Sequence, residues 1–180
     1  MIPILRRMLL LAALAATQAM AQTPPPSPSS PPPPPVHGCD SAQSRQFDFW
    51  VGDLDAAYAG GKSRNRVAKT LGGCVIVEQF TGSPGSPLEG TSVSTFDRAT
   101  KRWKQTWVDN TAAYLDFSGG FADGRMILER EAEREGKRFR QRMVWQDIRP
   151  EAFKWLWQRS DDDGKSWSTQ WEIDYTRSRK

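Results

Sequence analysis

The sequence predicts an all-β fold, an antiparallel meander of about 8–10 strands closing into a barrel. Three observations carry this. From Trp103 onward, aromatic and apolar residues fall on every second position, strand after strand. Turn signals separate these runs at short intervals. No run shows the 3.6-residue period of a long amphipathic helix. A period of two turns one face of each strand to a dry interior and the other to water. A meander this long escapes open edges most easily by closing on itself.

The elements follow in order. Arg6 and Arg7 form a basic segment, residues 8–16 are apolar, and Ala19-Met20-Ala21 is a small-x-small cleavage site. Residues 1–21 therefore read as a signal peptide cleaved near Ala21, and the mature protein is expected to be exported, periplasmic or secreted. The apolar run is too short to span a bilayer as an ordinary helix. Residues 22–37, dominated by Pro and Ser, read as an extended linker. Residues 38–180 are the right size for one domain. The chain has 25 Lys and Arg against 21 Asp and Glu. Removal of Arg6 and Arg7 leaves 23 against 21, a net charge of +2, which makes no electrostatic case for nucleic acid or an anionic membrane as partner. No later stretch is apolar enough for a membrane span. In an exported protein the even count of Cys39 and Cys74 predicts a disulfide, against the alternative of two buried free thiols.

Residues 41–50 are expected to form a single helical turn. Strands are predicted near 53–59, 63–70, 73–80, 88–96, 102–109, 113–119, 125–134, 137–147, 152–159 and 167–176. The last run sets Trp167, Trp171, Ile173 and Tyr175 on one face. In the 125–142 hairpin, Glu129, Glu131, Glu133 and Glu135 oppose Arg138, Arg140 and Arg142, a pattern of cross-strand ion pairs on a wet face. Ser160-Asp161-Asp162-Asp163-Gly164-Lys165-Ser166-Trp167 has the S-x-D-x-G-x-[ST]-W form of an Asp-box, a device that shapes a hairpin turn.

The only histidine is His37, inside the linker. No Ser-His-Asp or Cys-His arrangement has a base in the folded domain, and two Cys with one His do not complete a zinc site. No catalytic residue, metal or cofactor is expected. The better clue is the polar residues that parity places inside. Gln105 and Asp109 share the face of Trp103 and Trp107. Gln141 shares that of Trp145, Arg159 that of Trp157, and Trp171 closes the set. Aromatic walls with a few polar groups describe a small-molecule pocket. An internal network, for example Arg159 with Asp109, would fill the same space without a ligand. Inward carboxylates, with Asp109, Asp116 and Glu78 as candidates, keep an acid/base enzyme open.

The motif Phe47-Asp48-Phe49-Trp50-Val51-Gly52 resembles the opening of a family of uncharacterised bacterial proteins beginning F-D-F-W-x-G-x-W. The resemblance continues through Gly72-Gly73-Cys74-Val75, Gly90-Thr91-Ser92, Phe96-Asp97-Arg98-Ala99-Thr100-Lys101-Arg102-Trp103, Gln105-Thr106-Trp107-Val108-Asp109-Asn110 and Asp163-Gly164-Lys165-Ser166-Trp167. It covers nearly the whole mature domain. It implies a lipocalin-like (calycin) barrel and no established activity, the family being a domain of unknown function. Leu54 stands where that family has its second Trp, so a lipocalin-type Trp closure of that barrel end is not expected.

The sequence therefore predicts an exported, non-catalytic barrel that binds a small hydrophobic or aromatic ligand at Trp103, Gln105, Trp107, Asp109, Gln141, Trp145, Trp157, Arg159 and Trp171. The alternatives are an enzyme using inward carboxylates and an interaction module with a filled core.

Overall fold

A computed structural model describes residues 39–179. The predicted signal peptide, its cleavage site, the Pro-rich linker and His37 lie outside the described residues. Ten strands are present: β1 (Gly52–Tyr58), β2 (Gly61–Thr70), β3 (Val75–Thr81), β4 (Gly90–Asp97), β5 (Arg102–Asp109), β6 (Tyr114–Ala122), β7 (Arg125–Arg134), β8 (Lys137–Gln146), β9 (Ala152–Ser160) and β10 (Ser168–Arg177). Each pairs antiparallel with its neighbours in sequence, and β10 returns to β1, closing the barrel. The ten predicted strands match these with boundaries shifted by a few residues at most.

Alternation builds the wall. In β2, buried Ser63, Asn65 and Val67 alternate with exposed Lys62, Arg64 and Arg66. In β3, Ile76, Glu78 and Phe80 point in while Gln79 points out. In β5, Trp103 and Gln105 are buried and Lys104 is exposed. The wet face of the β7–β8 hairpin carries the expected ion pairs, Glu129 with Arg140 at 3.1 Å and Glu133 with Arg138 at 3.7 Å.

One barrel end is plugged. The residues predicted as a single helical turn fold instead as two short 3₁₀ turns, Gln43–Arg45 and Asp48–Trp50, because Phe47 must drop into the barrel between them. The Phe47 ring is fully buried, with its centroid 4.8 Å from Trp103 and 5.0 Å from Trp145, both edge-to-face. Trp50 packs on Trp145 at 5.3 Å. Burying a ring of this size contributes about 2–3 kcal/mol, before the edge-to-face terms. Leu54 is buried in the same cluster. Closure thus comes from Phe47 and Trp50, ahead of β1, rather than from a Trp on β1.

Three clamps hold the plug. The Arg177 guanidinium on β10 donates to the carbonyls of Val51 (2.7 Å) and Phe49. It occupies the space beside Gly52, where a Cβ would stand 2.7 Å from it and where φ is +143°. Only glycine suits both conditions. Gln46 accepts the Trp103 indole N–H at 3.2 Å. The Cys39–Cys74 disulfide, with Cα atoms 5.0 Å apart, ties the residue before the turns to the start of β3.

One departure from simple alternation occurs in β10. A bulge between Thr169 and Trp171 inserts Gln170 and reverses parity. Trp171 points inward, whereas Trp167, predicted on the same face, lies outside. There the Arg142 guanidinium stacks on its ring at 4.0 Å, and its N–H is donated to the Gly164 carbonyl. The Asp-box is a turn device in detail. Ser160 Oγ accepts the Gly164 N–H, and Asp162 accepts from the Ser166 N–H and hydroxyl.

Candidate functional site

Between the plug and the opposite rim lies a cavity of about 210 Å³. Trp50 and Trp145, part of the plug cluster, form its floor. Phe117, Met143 and Ile173 line its middle with Glu78 and Tyr175. Trp107, Asp109, Leu88 and Leu115 stand towards the rim, with Phe80, Trp155, Trp157 and Trp171 completing the wall.

Local structure fixes each group. Gly90 on β4 opposes Asp109 on β5, and a Cβ there would sit 2.2 Å from the Trp107 indole. Absence of a side chain is what lets that indole lie against β4 as cavity wall. Trp155 and Trp157 are near-parallel, with centroids 6.5 Å apart and planes 11° apart. Trp171, brought inward by the bulge, stands at 89° to Trp155, centroid to centroid 5.6 Å. Its two other aromatic neighbours, Tyr58 and Phe80, are also edge-on. The wall thus combines one near-parallel pair of indoles with rings set edge-on to it.

Two carboxyl groups touch the cavity, and their environments differ. Asp109 ends β5 at the rim. Its Oδ2 accepts the Trp107 N–H at 2.8 Å, and its Oδ1 accepts from the Thr111 hydroxyl (2.6 Å) and the Thr111 and Ala113 N–H groups. Burial works to raise its pKa, but these donors outweigh it and hold Asp109 below the ordinary carboxylate range. It is an ionised turn anchor.

Glu78 is inside the barrel, 7 % exposed. Asn65 Nδ2 donates to Oε1 at 2.7 Å and Ser92 Oγ donates to Oε2 at 2.6 Å. Burial pushes its pKa up to about 7, against the pull of those two hydrogen bonds. Asn65 also reaches the Tyr175 hydroxyl at 3.3 Å, and burial and the Glu78 carboxyl raise that phenol well above its ordinary pKa. The Trp50 and Trp145 indole N–H groups and Asn65 Oδ1 are buried without a protein partner. Each such orphan costs about 1–3 kcal/mol.

The structure brings Trp107, Asp109, Trp145, Trp157 and Trp171 together on the cavity. The other four predicted site residues lie off it. Trp103 is sealed beneath the plug. Gln105 donates to Ser94 Oγ at 2.8 Å and is internally satisfied. Gln141 accepts from Arg130 at 3.0 Å. Arg159 pairs with Asp161 at 2.6 Å and stacks 3.9 Å over Phe139, so the suggested Arg159–Asp109 network does not form. A carboxylate two residues away outcompetes one across the barrel. Glu78 was legible as a candidate carboxylate. Its partners Asn65, Ser92 and Tyr175 lie on three other strands, and no local pattern joins them.

Fold and site define a closed ten-strand antiparallel barrel with an aromatic-walled interior cavity and one buried carboxyl. The chain belongs to the family described as protein of unknown function (DUF1579), whose model matches residues 45–177, from the capping turns to the end of β10. No curated protein matches the chain.

Proposed function

We propose that this is an exported barrel that binds one small hydrophobic or aromatic ligand inside, without catalysing its conversion. The observation carrying the reading is the apolar, Trp-walled cavity of about 210 Å³ with only a few polar groups on it. Pockets for drug-sized ligands run to roughly 300–1,000 Å³, so the ligand is of single-ring size. Export is supported by the signal-like N-terminal sequence and by the disulfide.

The test is native mass spectrometry and Trp-fluorescence titration with single-ring compounds. Leu115 lines the cavity, and Leu115→Trp fills it. Adducts and quenching in the wild type that vanish in Leu115→Trp are expected. Binding that survives the filled cavity would place the ligand elsewhere and remove the reading.

A second reading is specifically favoured by Glu78. A cavity-facing carboxyl whose pKa sits near 7 suits general acid/base work, and Asp109, saturated by donors and held low, does not. Glu78→Gln that abolishes turnover of a substrate while sparing its binding would establish the enzymatic role.

A further inference from the structure

The charge inventory of the cavity does not match that of the chain. The protein carries more Lys and Arg than Asp and Glu, yet among the described residues lining the cavity there is no Lys, Arg or His. Its ionisable groups are Glu78, Asp109 and the Tyr175 hydroxyl. Arg130 lies against one lining residue, 5.9 Å from the Phe117 ring centroid. It donates to Gln141 outside the lining.

Glu78 has hydrogen-bond donors but no cation. Asn65 and Ser92 are neutral, and burial and the Glu78 carboxyl keep the Tyr175 phenol beside them neutral as well. A carboxyl this deep must either keep its proton or meet a positive charge that the protein does not supply. The rest of the wall fits such a charge. Six indoles line the cavity, and the perpendicular Trp155–Trp171 pair beside the parallel Trp155–Trp157 pair presents ring faces from two directions. Aromatic faces carry negative potential and hold ammonium groups, most strongly when water is excluded. At the rim, Asp109 bonds the Trp107 N–H and sets a fixed negative charge against that indole. An anionic ligand of the same size would meet two carboxyl groups and no counter-charge.

Building on the ligand-binding reading, we propose that the cavity selects a small organic cation, an amine or quaternary ammonium with an apolar body. Its charged head stands among the indole faces against Glu78, with Asp109 guarding the rim.

The experiment uses the matched pair choline and 3,3-dimethylbutan-1-ol, which share shape and differ in charge, with benzyltrimethylammonium and benzyl alcohol as a larger set. Binding to the mature protein is followed by Trp fluorescence and calorimetry. The cations are expected to bind at least about tenfold tighter than their neutral counterparts. A quaternary probe does not titrate, so its affinity should rise between about pH 6 and pH 8 as Glu78 gives up its proton, while that of the alcohols stays flat. Glu78→Gln should abolish the pH dependence and reduce the preference, and Asp109→Asn should reduce the preference while leaving the pH dependence in place. Neutral probes binding as tightly as cations would overturn the charge assignment and leave the pocket reading standing. Failure of both cations to bind at millimolar concentration, while neutral single-ring compounds still form adducts, would overturn the cation proposal alone. Failure of those compounds as well would overturn both.

Discussion

Replacing Glu78 with Gln tests the electrostatics of the interior directly. In the native barrel the carboxyl titrates near 7 against an ordinary value of 4.5. A shift of that size is worth roughly 3 kcal/mol at about 1.4 kcal/mol per unit. The sign follows from which state holds the proton more tightly, and here it is the native one. Below about pH 4.5 the carboxyl is protonated in both states and carries no penalty. Between about pH 4.5 and 7 the unfolded chain ionises first, so stability falls as pH rises, and above about pH 7 the full amount is lost. Gln does not ionise, and it forfeits one of the two hydrogen bonds from Asn65 and Ser92, costing about 1 kcal/mol. The variant should therefore be about 1 kcal/mol less stable than wild type near pH 4.5 and about 2 kcal/mol more stable near pH 8. Asp97, Asp109, Asp161 and Asp162 are all held below the ordinary carboxylate range and Tyr175 titrates far above it. Urea unfolding followed by Trp fluorescence across this range, for both proteins, gives the difference curve. A difference that does not change with pH would refute the buried-carboxyl argument.

Other perturbations address the plug and the wall. Reducing Cys39–Cys74, which closes a separation of 35 residues, should cost about 4 kcal/mol on the chain-entropy account. A midpoint of denaturation that is unchanged by reductant would show the clamp to be redundant. Phe47→Ala removes a fully buried ring held by Trp103 and Trp145 and should destabilise the barrel by about 3–5 kcal/mol in chemical denaturation. Gly90→Ala places a methyl 2.2 Å from the Trp107 indole and should push that ring into the cavity, weakening any cavity-bound probe with little loss of secondary structure. Equal probe affinity in calorimetry would show that the indole has other room to move.

How much of this was legible in the sequence depends on distance along the chain. Parity is local, because successive Cβ atoms alternate across a strand whatever the strand pairs with. Hence all ten strands, the inward Trp107, Trp145 and Trp157, and even Glu78 between Ile76 and Phe80 can be read from the residues alone. The Asp-box turn is local too, and it formed as its residues dictate. Where a local rule is interrupted by a single inserted residue, the reading inverts. Gln170 does this to Trp167, sending it out over Arg142.

The sequence by itself determined an all-β meander with an aromatic inner face, a pair of cysteines suited to a disulfide, and a domain without histidine. Tertiary structure decided which inward residues share a level. Height along the barrel axis depends on strand register and on the stagger accumulated around the closed sheet, and neither is written in any one strand. That is why Trp103 and Gln105 lie sealed towards the plug while Trp107 and Asp109, on the same face of the same strand, reach the cavity. The same closure carries Asn65 to Tyr175, 110 residues away, and builds around Glu78 a polar cluster that only the folded barrel contains.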